Sequence, residues 1–587
     1  MECSRNKGAS PYSYHTFFFP FRWEHNDSDA RKHDMDLFNK CLQDGKWACS
    51  KDEPRLIGYM AENYRFRLSD NDLDDNQKIL LAYNEYKYFH VSARIAIYGE
   101  GVGKDIVHNY FRRFENGHES HILIRKGNIE YLLHVNSISL KVYNTGVAIF
   151  LLQTEYYGDK MVNNKQMRAP SFDDVLAINQ YGRRICPPFI ARDAENYCPE
   201  LADRITLIID GKEVIENFDS VLSNPDRYLN YISKIIMEIL GKNFCFERES
   251  ESPVGSRRVP VFAGLFSARK REKKKKRIYI EPIIDDRMFV ISVVRDNQLI
   301  EYMQMWPNSE NQYFFEKDAF ADNSLKLYQF MFVDTESPSC ADRRMRLDLI
   351  KQHCYSRWVE EGTLYGITHQ AFVCLTDETD FGKNVITAHV LTLYTQMLAL
   401  VLAQRASFVQ FNNETSQISH DWPNETTDLE VFKYKVDSLI GLQERYHSFQ
   451  GRVMNFEVTA QEQGIEMYKM MQQALYIREE AEELDGQLNL VQNMASTIMG
   501  RKHELVLMIL TVLGILIGAV SLEEFFFTSA FIVLLLIGIC VSFNGKLRIG
   551  FGILVSLMWV IKFFIRFYPH LFEPYIARLV KILAVLR

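Results

Sequence analysis

The run from Leu505 to Leu522 carries no charge and is mostly Leu, Val and Ile. A stretch that apolar is stable only where water is excluded, and it is long enough to cross a hydrocarbon core of about 30 Å. Glu523 and Glu524 end it, because a carboxylate at mid-bilayer costs several kcal/mol, and a second uncharged run follows from Phe525 to Phe543. The spacing predicts a transmembrane hairpin with spans at about 505–522 and 525–543. Arg501 and Lys502 precede it, Lys546 and Arg548 follow it, and no Lys or Arg lies between. The positive-inside rule then puts both outer ends in the cytoplasm and Glu523 and Glu524 outside. Thr511 and Ser521 are the polar residues of the first span. If they face an axis they line a pore, and Glu523 and Glu524, repeated around an oligomer, form an acidic ring that concentrates cations. The plainer roles are helix contacts for the hydroxyls and a helix end for the carboxylates.

Upstream, Met467, Met470, Ala474, Ile477, Ala481, Leu484, Leu488, Val491, Ala495 and Ile498 repeat at heptad a and d positions, with Arg478, Glu479, Glu480, Glu482, Glu483, Asp485, Gln487 and Asn489 between them. This predicts one unbroken helix from about Gln463 into the membrane, with Gly486 its weak point at about 1 kcal/mol. Such a stripe either packs inside its own domain or joins copies of itself as a stalk. The same phase continues at Leu505, Ile509, Val512, Leu516 and Ala519, which favours the stalk.

At 587 residues the chain exceeds one ordinary domain, and its net charge of −7 argues against a general nucleic-acid binder. Its ten cysteines are scattered without a CxxC pair, which suits a reducing compartment. Phe17-Phe18-Phe19-Pro20-Phe21 is too short for a signal core. The expected organisation is a cytosolic α+β domain over 1–384, cytosolic helices and coiled-coil stalk over 385–503, the membrane hairpin over 504–545, and a third apolar segment with an amphipathic C-terminal helix over 546–587. The expected location is the inner (plasma) membrane, multi-pass, with the large N-terminal part cytoplasmic.

Within 1–384, Ile122–Ile124, Tyr131–Leu133, Ile138–Tyr143 and Val147–Gln153 read as strands, separated by Lys126-Gly127-Asn128 and Asn144-Thr145-Gly146. Ile205–Ile209 and Val214-Ile215 form another hairpin around Asp210-Gly211. Pro225–Leu240 reads as an amphipathic helix stopped by Gly241, and Ile278–Ile284, Met288–Val294 and Leu299–Met305 read as strands. The sheet is therefore expected to be mainly antiparallel. Val385–Ala403 is apolar, but its Thr, His and Gln residues mark a buried cytosolic helix. Residues 1–50 suggest no element.

Asp70–Asp75 lacks the glycine and bidentate glutamate of a calcium loop and is not expected to hold a metal, and Gly99–Lys104 lacks Walker spacing and reads as a tight glycine turn. No metal-ligand motif or nucleophile elbow is present, and an enzyme is not expected. Candidate anion contacts are Arg257, Arg258 and the run containing Arg269, Lys270, Arg271, Lys273 and Lys274, which is otherwise a solvated loop. Arg183 and Arg184, ahead of Cys186-Pro187-Pro188, form a second pair, either structural or phosphate-pairing.

Residues 385–545 resemble the CorA-like magnesium transporters. Leu398–Ala406 resembles that family's cytosolic helix before the stalk, Asn489-Leu490-Val491-Gln492-Asn493 precedes the membrane much as in the family, and the short acidic loop and second span complete the likeness. The resemblance implies a homo-oligomer, a pentamer, in a lipid bilayer, with Mg2+ or another divalent cation as cargo. Where the family ends its first span with Gly-Met-Asn, this chain has Gly518-Ala519-Val520 and no amide to gather hydrated Mg2+. With Tyr143–Val147 and Asn179–Arg184 in its larger sheet-rich part, the chain is also similar to the divergent CorA-like proteins found beside type III CRISPR systems. That likeness implies antiviral defence. A nucleotide second messenger, an adenylated S-adenosylmethionine, would bind in the cytosol and disturb the membrane. The alternatives are a pore-less membrane-anchored sensor, a constitutive Mg2+ transporter and a membrane-tethered enzyme.

Overall fold

The computed structural model describes residues 10–25, 33–42, 46–49, 75–99, 106–114, 119–163, 165–186, 201–218, 232–246, 277–304, 318–334, 338–420, 429–455 and 457–520. The chain divides into two compact units, Met1–Val491 and Gln492–Arg587. The first is α+β. The second is described only over 492–520, the C-terminal part of a helix.

Among the described residues, sixteen strands form one sheet. They are β1 (Ser13–His25), β2 (Trp47–Cys49), β3 (Val107–Arg112), β4 (His121–Lys126), β5 (Ile129–Tyr143), β6 (Val147–Tyr156), β7 (Asp159–Val162), β8 (Lys165–Arg168), β9 (Arg204–Ile209), β10 (Lys212–Asn217), β11 (Phe244–Cys245), β12 (Ile278–Pro282), β13 (Phe289–Arg295), β14 (Cys354–Tyr355), β15 (Thr363–Ile367) and β16 (Ala371–Thr376). The main order is β10-β9-β4-β5-β6-β1-β13-β16-β15-β14. Pairing is antiparallel except for β13 with β16 and β11 with β12.

The central strand, β1, lies in the region where the sequence suggested no element. It pairs with β6 along one edge, and along the other with β13 through Phe18 and then β12 from Phe21. Pro20 falls where that second partner changes, so its missing N–H costs no ladder bond there. Phe17, Phe19, Phe21 and Trp23 alternate into one core, with Leu133, Leu140, Phe150, Leu152, Ile178 and Ile236. A second core joins Val175, Leu176, Leu327, Phe330, Met331 and Val373.

The predicted hairpins form. Asp210 and Gly211, at φ 52° and 72°, give the two left-handed residues that a tight β9–β10 turn needs. At Gly146, φ 88°, an added Cβ would sit 2.4 Å from the His33 ring. Two elements differ from expectation. Residues 299–304 are helical, because Asp296 caps the helix Asn297–Gln304 by accepting from Leu299 N–H at 2.9 Å. The helix expected over Pro225–Leu240 starts at Lys234, where the Ser233 hydroxyl accepts from Ile236 N–H; residues 219–231 lie outside the described residues.

Gly382–Ser419 is the one helix among the described residues long and apolar enough to cross a membrane, by length and composition. Its apolar window is 83% buried, as a core helix requires. It lies against β1 and β6; Gln153 Nε2 donates to Leu391 O at 3.2 Å, and the Thr145 and Ser407 hydroxyls meet at 2.9 Å. Two π turns, Gly382–Ile386 and Val390–Tyr394, interrupt it. Their carbonyls are held by side chains: Thr387 Oγ1 donates to Gly382 O at 2.9 Å and Thr395 Oγ1 to Val390 O at 2.8 Å. Thr387→Val or Thr395→Val leaves the buried carbonyl short of one donor, so each is expected to cost about 1–2 kcal/mol in denaturant unfolding. A cost below about 0.3 kcal/mol would show the π turns to be self-sufficient.

The heptad stripe does not form one helix. One helix ends at Ala474, the next runs Ile477–Val520, and Tyr476 between them sits at φ 54°. Met467, Ala474, Ile477 and Leu484 are buried within the chain itself. Tyr446 from the helix Leu429–Val453 donates to Asp485 at 2.6 Å. At Met467, Ala474, Ile477 and Leu484 the apolar period therefore records packing within the chain, while Met470 and Ala481 of the same stripe are half-buried.

Candidate functional site

The joint at Leu475–Tyr476 is where the long helix is tied to the sheet. A left-handed tyrosine is strained by about 1–2 kcal/mol. Arg405, on the helix Thr395–His420, supplies what holds it. Its Nη1 donates to Leu475 O, at the carbonyl end of one helix, and its Nη2 lies 3.4 Å from Glu480 Oε1, in the first turn of the next. A cation at a helix C-terminus and an anion at an N-terminus both complement the peptide dipoles. The guanidinium also stands 5.8 Å from the centre of the Tyr476 ring. Asn412 Nδ2 reaches Glu480 Oε2 at 3.5 Å, and the His369 ring lies 6.1 Å from Tyr476.

His369 and Gln370 sit in the β15–β16 hairpin and carry the contacts inward. Gln370 Oε1 accepts from Arg183 Nη1 at 2.7 Å. Arg183 Nη2 donates to Val333 O at 2.8 Å, and Val333 is itself left-handed at φ 47°. Arg184 Nη1 donates to Asp286 Oδ2 at 2.9 Å, and Arg287 is bound to Asp285 through Nη2 at 2.8 Å. Two strained carbonyl segments are thus each gripped by an arginine, and Gln370, His369 and Tyr476 lie between the grips.

The electrostatics follow the burial. Burial, followed by Arg287 and Arg184, brings the Arg183 guanidinium down to about 9, so it stays cationic at neutral pH. Burial and then Arg405 push the His369 imidazole below its usual value, against the pull of Asp285, and keep it neutral. Burial and the neighbouring Asp285 raise the Asp286 carboxyl. Asp285 is also buried, but hydrogen bonds from Asp286 and Arg287 outweigh that and hold it low. The arrangement is a latch in which the guanidiniums of Arg183, Arg184, Arg287 and Arg405 lie among the carboxylates of Asp285, Asp286 and Glu480.

Arg183 and Arg184 are therefore both inside the fold, at 2% and 5% exposure, Arg183 bound to Gln370 and the Val333 carbonyl and Arg184 paired with Asp286. Arg257, Arg258, Arg269, Lys270, Arg271, Lys273 and Lys274 lie outside the described residues, as do Ser521, Glu523, Glu524 and residues 525–587. Thr511 is exposed, and its hydroxyl donates to Leu507 O of its own helix at 2.7 Å. Arg405, Tyr476 and Glu480 were missed as functional candidates. Tyr476 sits directly before the Ile477-Arg478-Glu479-Glu480 helix start, where a first-turn acid marks a new helix. Among the described residues, Cys186, Cys340, Cys354 and Cys374 are free thiols.

No family model matches the chain, and no match is found among curated proteins or solved structures.

Proposed function

We propose that the chain is a homo-oligomeric, multi-pass CorA-like cation channel of the inner membrane, opened by a cytosolic nucleotide second messenger and acting in antiviral defence. One observation carries the membrane part of this reading. Toward its C-terminal end the helix Ile477–Val520 exposes Leu507, Met508, Ile509, Leu510 and Leu513, with Leu507 61% and Leu510 58% exposed. Consecutive residues on a helix point 100° apart, so this apolar surface runs around the helix rather than along one stripe. Lipid is the solvent that suits it. The Arg405 joint supports the gating part, because it ties that same helix to the sheet. A ligand that binds two states of the joint with different affinity shifts their populations; moving from 1:99 to 99:1 takes about 5.5 kcal/mol, shared among subunits.

The Thr511 hydroxyl bond to its own helix favours a second reading, a pore-less anchored sensor. Cation flux from liposomes holding the purified protein separates these. Flux only with an adenylated nucleotide is the expected result. Constitutive Mg2+ flux would instead make the chain an ordinary transporter. No flux from correctly inserted protein would leave the anchored sensor.

A further inference from the structure

We propose that Glu119, His121 and His134 hold a divalent ion of the zinc class on the surface of the sheet domain. His121 opens β4 and His134 lies on β5. The β4–β5 turn pairs Lys126 with Ile129, and counting back along both strands sets His121 opposite His134. Cross-strand partners share a face, so the two imidazoles meet: their centroids are 4.7 Å apart at 79°. Both rings are buried. Glu119 precedes the strand and brings its carboxylate to 3.6 Å from His121 Nε2. One ligand atom from each of the three lies within 4.8 Å of the others. Tetrahedral zinc with bonds of about 2.0–2.2 Å needs its ligands some 3.3–3.5 Å apart. Glu119 is exposed, so the closing movement falls on a surface side chain.

The donor set decides the metal class. Two imidazoles and one carboxylate suit zinc and its neighbours, whereas magnesium and calcium prefer oxygen alone. The surroundings agree. Glu155 on β6 is paired in register with His134 and wholly buried, so a second carboxylate lies beside the rings. Tyr157 donates to it at 2.9 Å, and the Tyr157 ring stands 5.3 Å from His134. Two imidazoles with two carboxylates on the same face make a donor set that a divalent cation fits. Three protein ligands leave a fourth position for water. The ion would clip β4 to β5 beyond their backbone ladder.

The test uses the full chain in detergent, carrying no histidine tag and stripped by a chelator. Zinc is titrated against a chromophoric competitor, and cobalt is read by its visible absorption. Expected are one zinc per chain, an intense tetrahedral cobalt band, and affinity lowered about a hundred-fold or more in H121Q and H134Q, with a smaller loss in E119Q. Glu119 is exposed, so Glu119→Gln keeps the fold even if a buried histidine variant does not. Zinc binding that is unchanged in E119Q and in the histidine variants would overturn the site, as would an absence of stoichiometric binding by the wild type. A six-coordinate cobalt spectrum would overturn the tetrahedral assignment. The result is independent of whether the chain conducts.

Discussion

Arg405→Ala is expected to lower the unfolding free energy of the protein by about 3 kcal/mol and to loosen the start of the long helix. The side chain is only 15% exposed and its partner Glu480 21%. Truncation removes the donor to Leu475 O and leaves the Glu480 carboxylate with Asn412 at 3.5 Å. A partly buried acid that loses its cation costs more than the pair contributes, because desolvation remains when attraction is gone. Arg405→Lys keeps the charge but not the planar fork that reaches a carbonyl and a carboxylate together, so it should restore less than half of the loss. Tyr476→Gly works from the other side of the joint. It relieves the left-handed strain of about 1 kcal/mol, and in the Arg405→Ala background it should recover part of the stability. Denaturant unfolding in detergent, with hydrogen exchange over 462–491, reads all three. A loss under about 0.5 kcal/mol for Arg405→Ala would remove the latch. If it stands, the same variant is expected to lose nucleotide dependence in the flux assay while keeping its membrane insertion.

Short-range patterns in the sequence translated well and long-range ones did not. Asn144-Thr145-Gly146 and Asp210-Gly211 announce tight turns because left-handed backbone is required within a few residues of where it is written. Val385–Ala403 was legible as a core helix, since its Thr residues dilute the apolar run and turn out to hold carbonyls inside it. The strand β1 was not legible. Pro20 breaks the strand signal, and it is tolerated only because two different strands share that edge, which no local pattern encodes. The helix at Asn297–Gln304 carried its signal in Asp296, and an apolar run without strict alternation hid it. The heptad stripe shows the opposite failure. Its period was real, but period alone does not say whether the partner is another copy or the chain's own helices, and Arg405, some seventy residues upstream, binds both sides of the break in the stripe. The histidine pair was legible in principle. A two-residue turn fixes which residues face each other, and that arithmetic places His121 against His134 before any coordinate is known.

Lowering the pH from about 6.5 to 4 is expected to remove about 3 kcal/mol of stability through one residue, His15. His15 is fully buried on the central strand. Its Nδ1 meets Asn179 Oδ1 at 2.7 Å and its Nε2 meets Ser13 Oγ at 2.9 Å, with Ser292 Oγ at 3.5 Å from Nδ1. A neutral ring satisfies all of this: Nδ1–H donates to the amide oxygen and Nε2 accepts from the hydroxyl. Burial pushes the imidazole down to about 4, and the Asn179 contact offsets only part of that. In the unfolded chain the same ring protonates near 6.5. Between those values the unfolded state binds the extra proton, so stability falls as the pH falls and is intact above about 6.5. Glu414 adds to acid sensitivity in a lower window. Although burial opposes it, His33 and Arg445 hold its carboxyl well below the ordinary range, so its contribution is present above the unfolded value and is lost as the pH drops through the carboxylate range. The two are separable by substitution. His15→Asn costs packing at every pH but carries no titrating group, so the wild-type curve should approach the variant's as the pH falls from 6.5 to 4. Parallel curves across that window would mean that His15 protonates within the fold, and that the Ser13 and Asn179 contacts accommodate the cation.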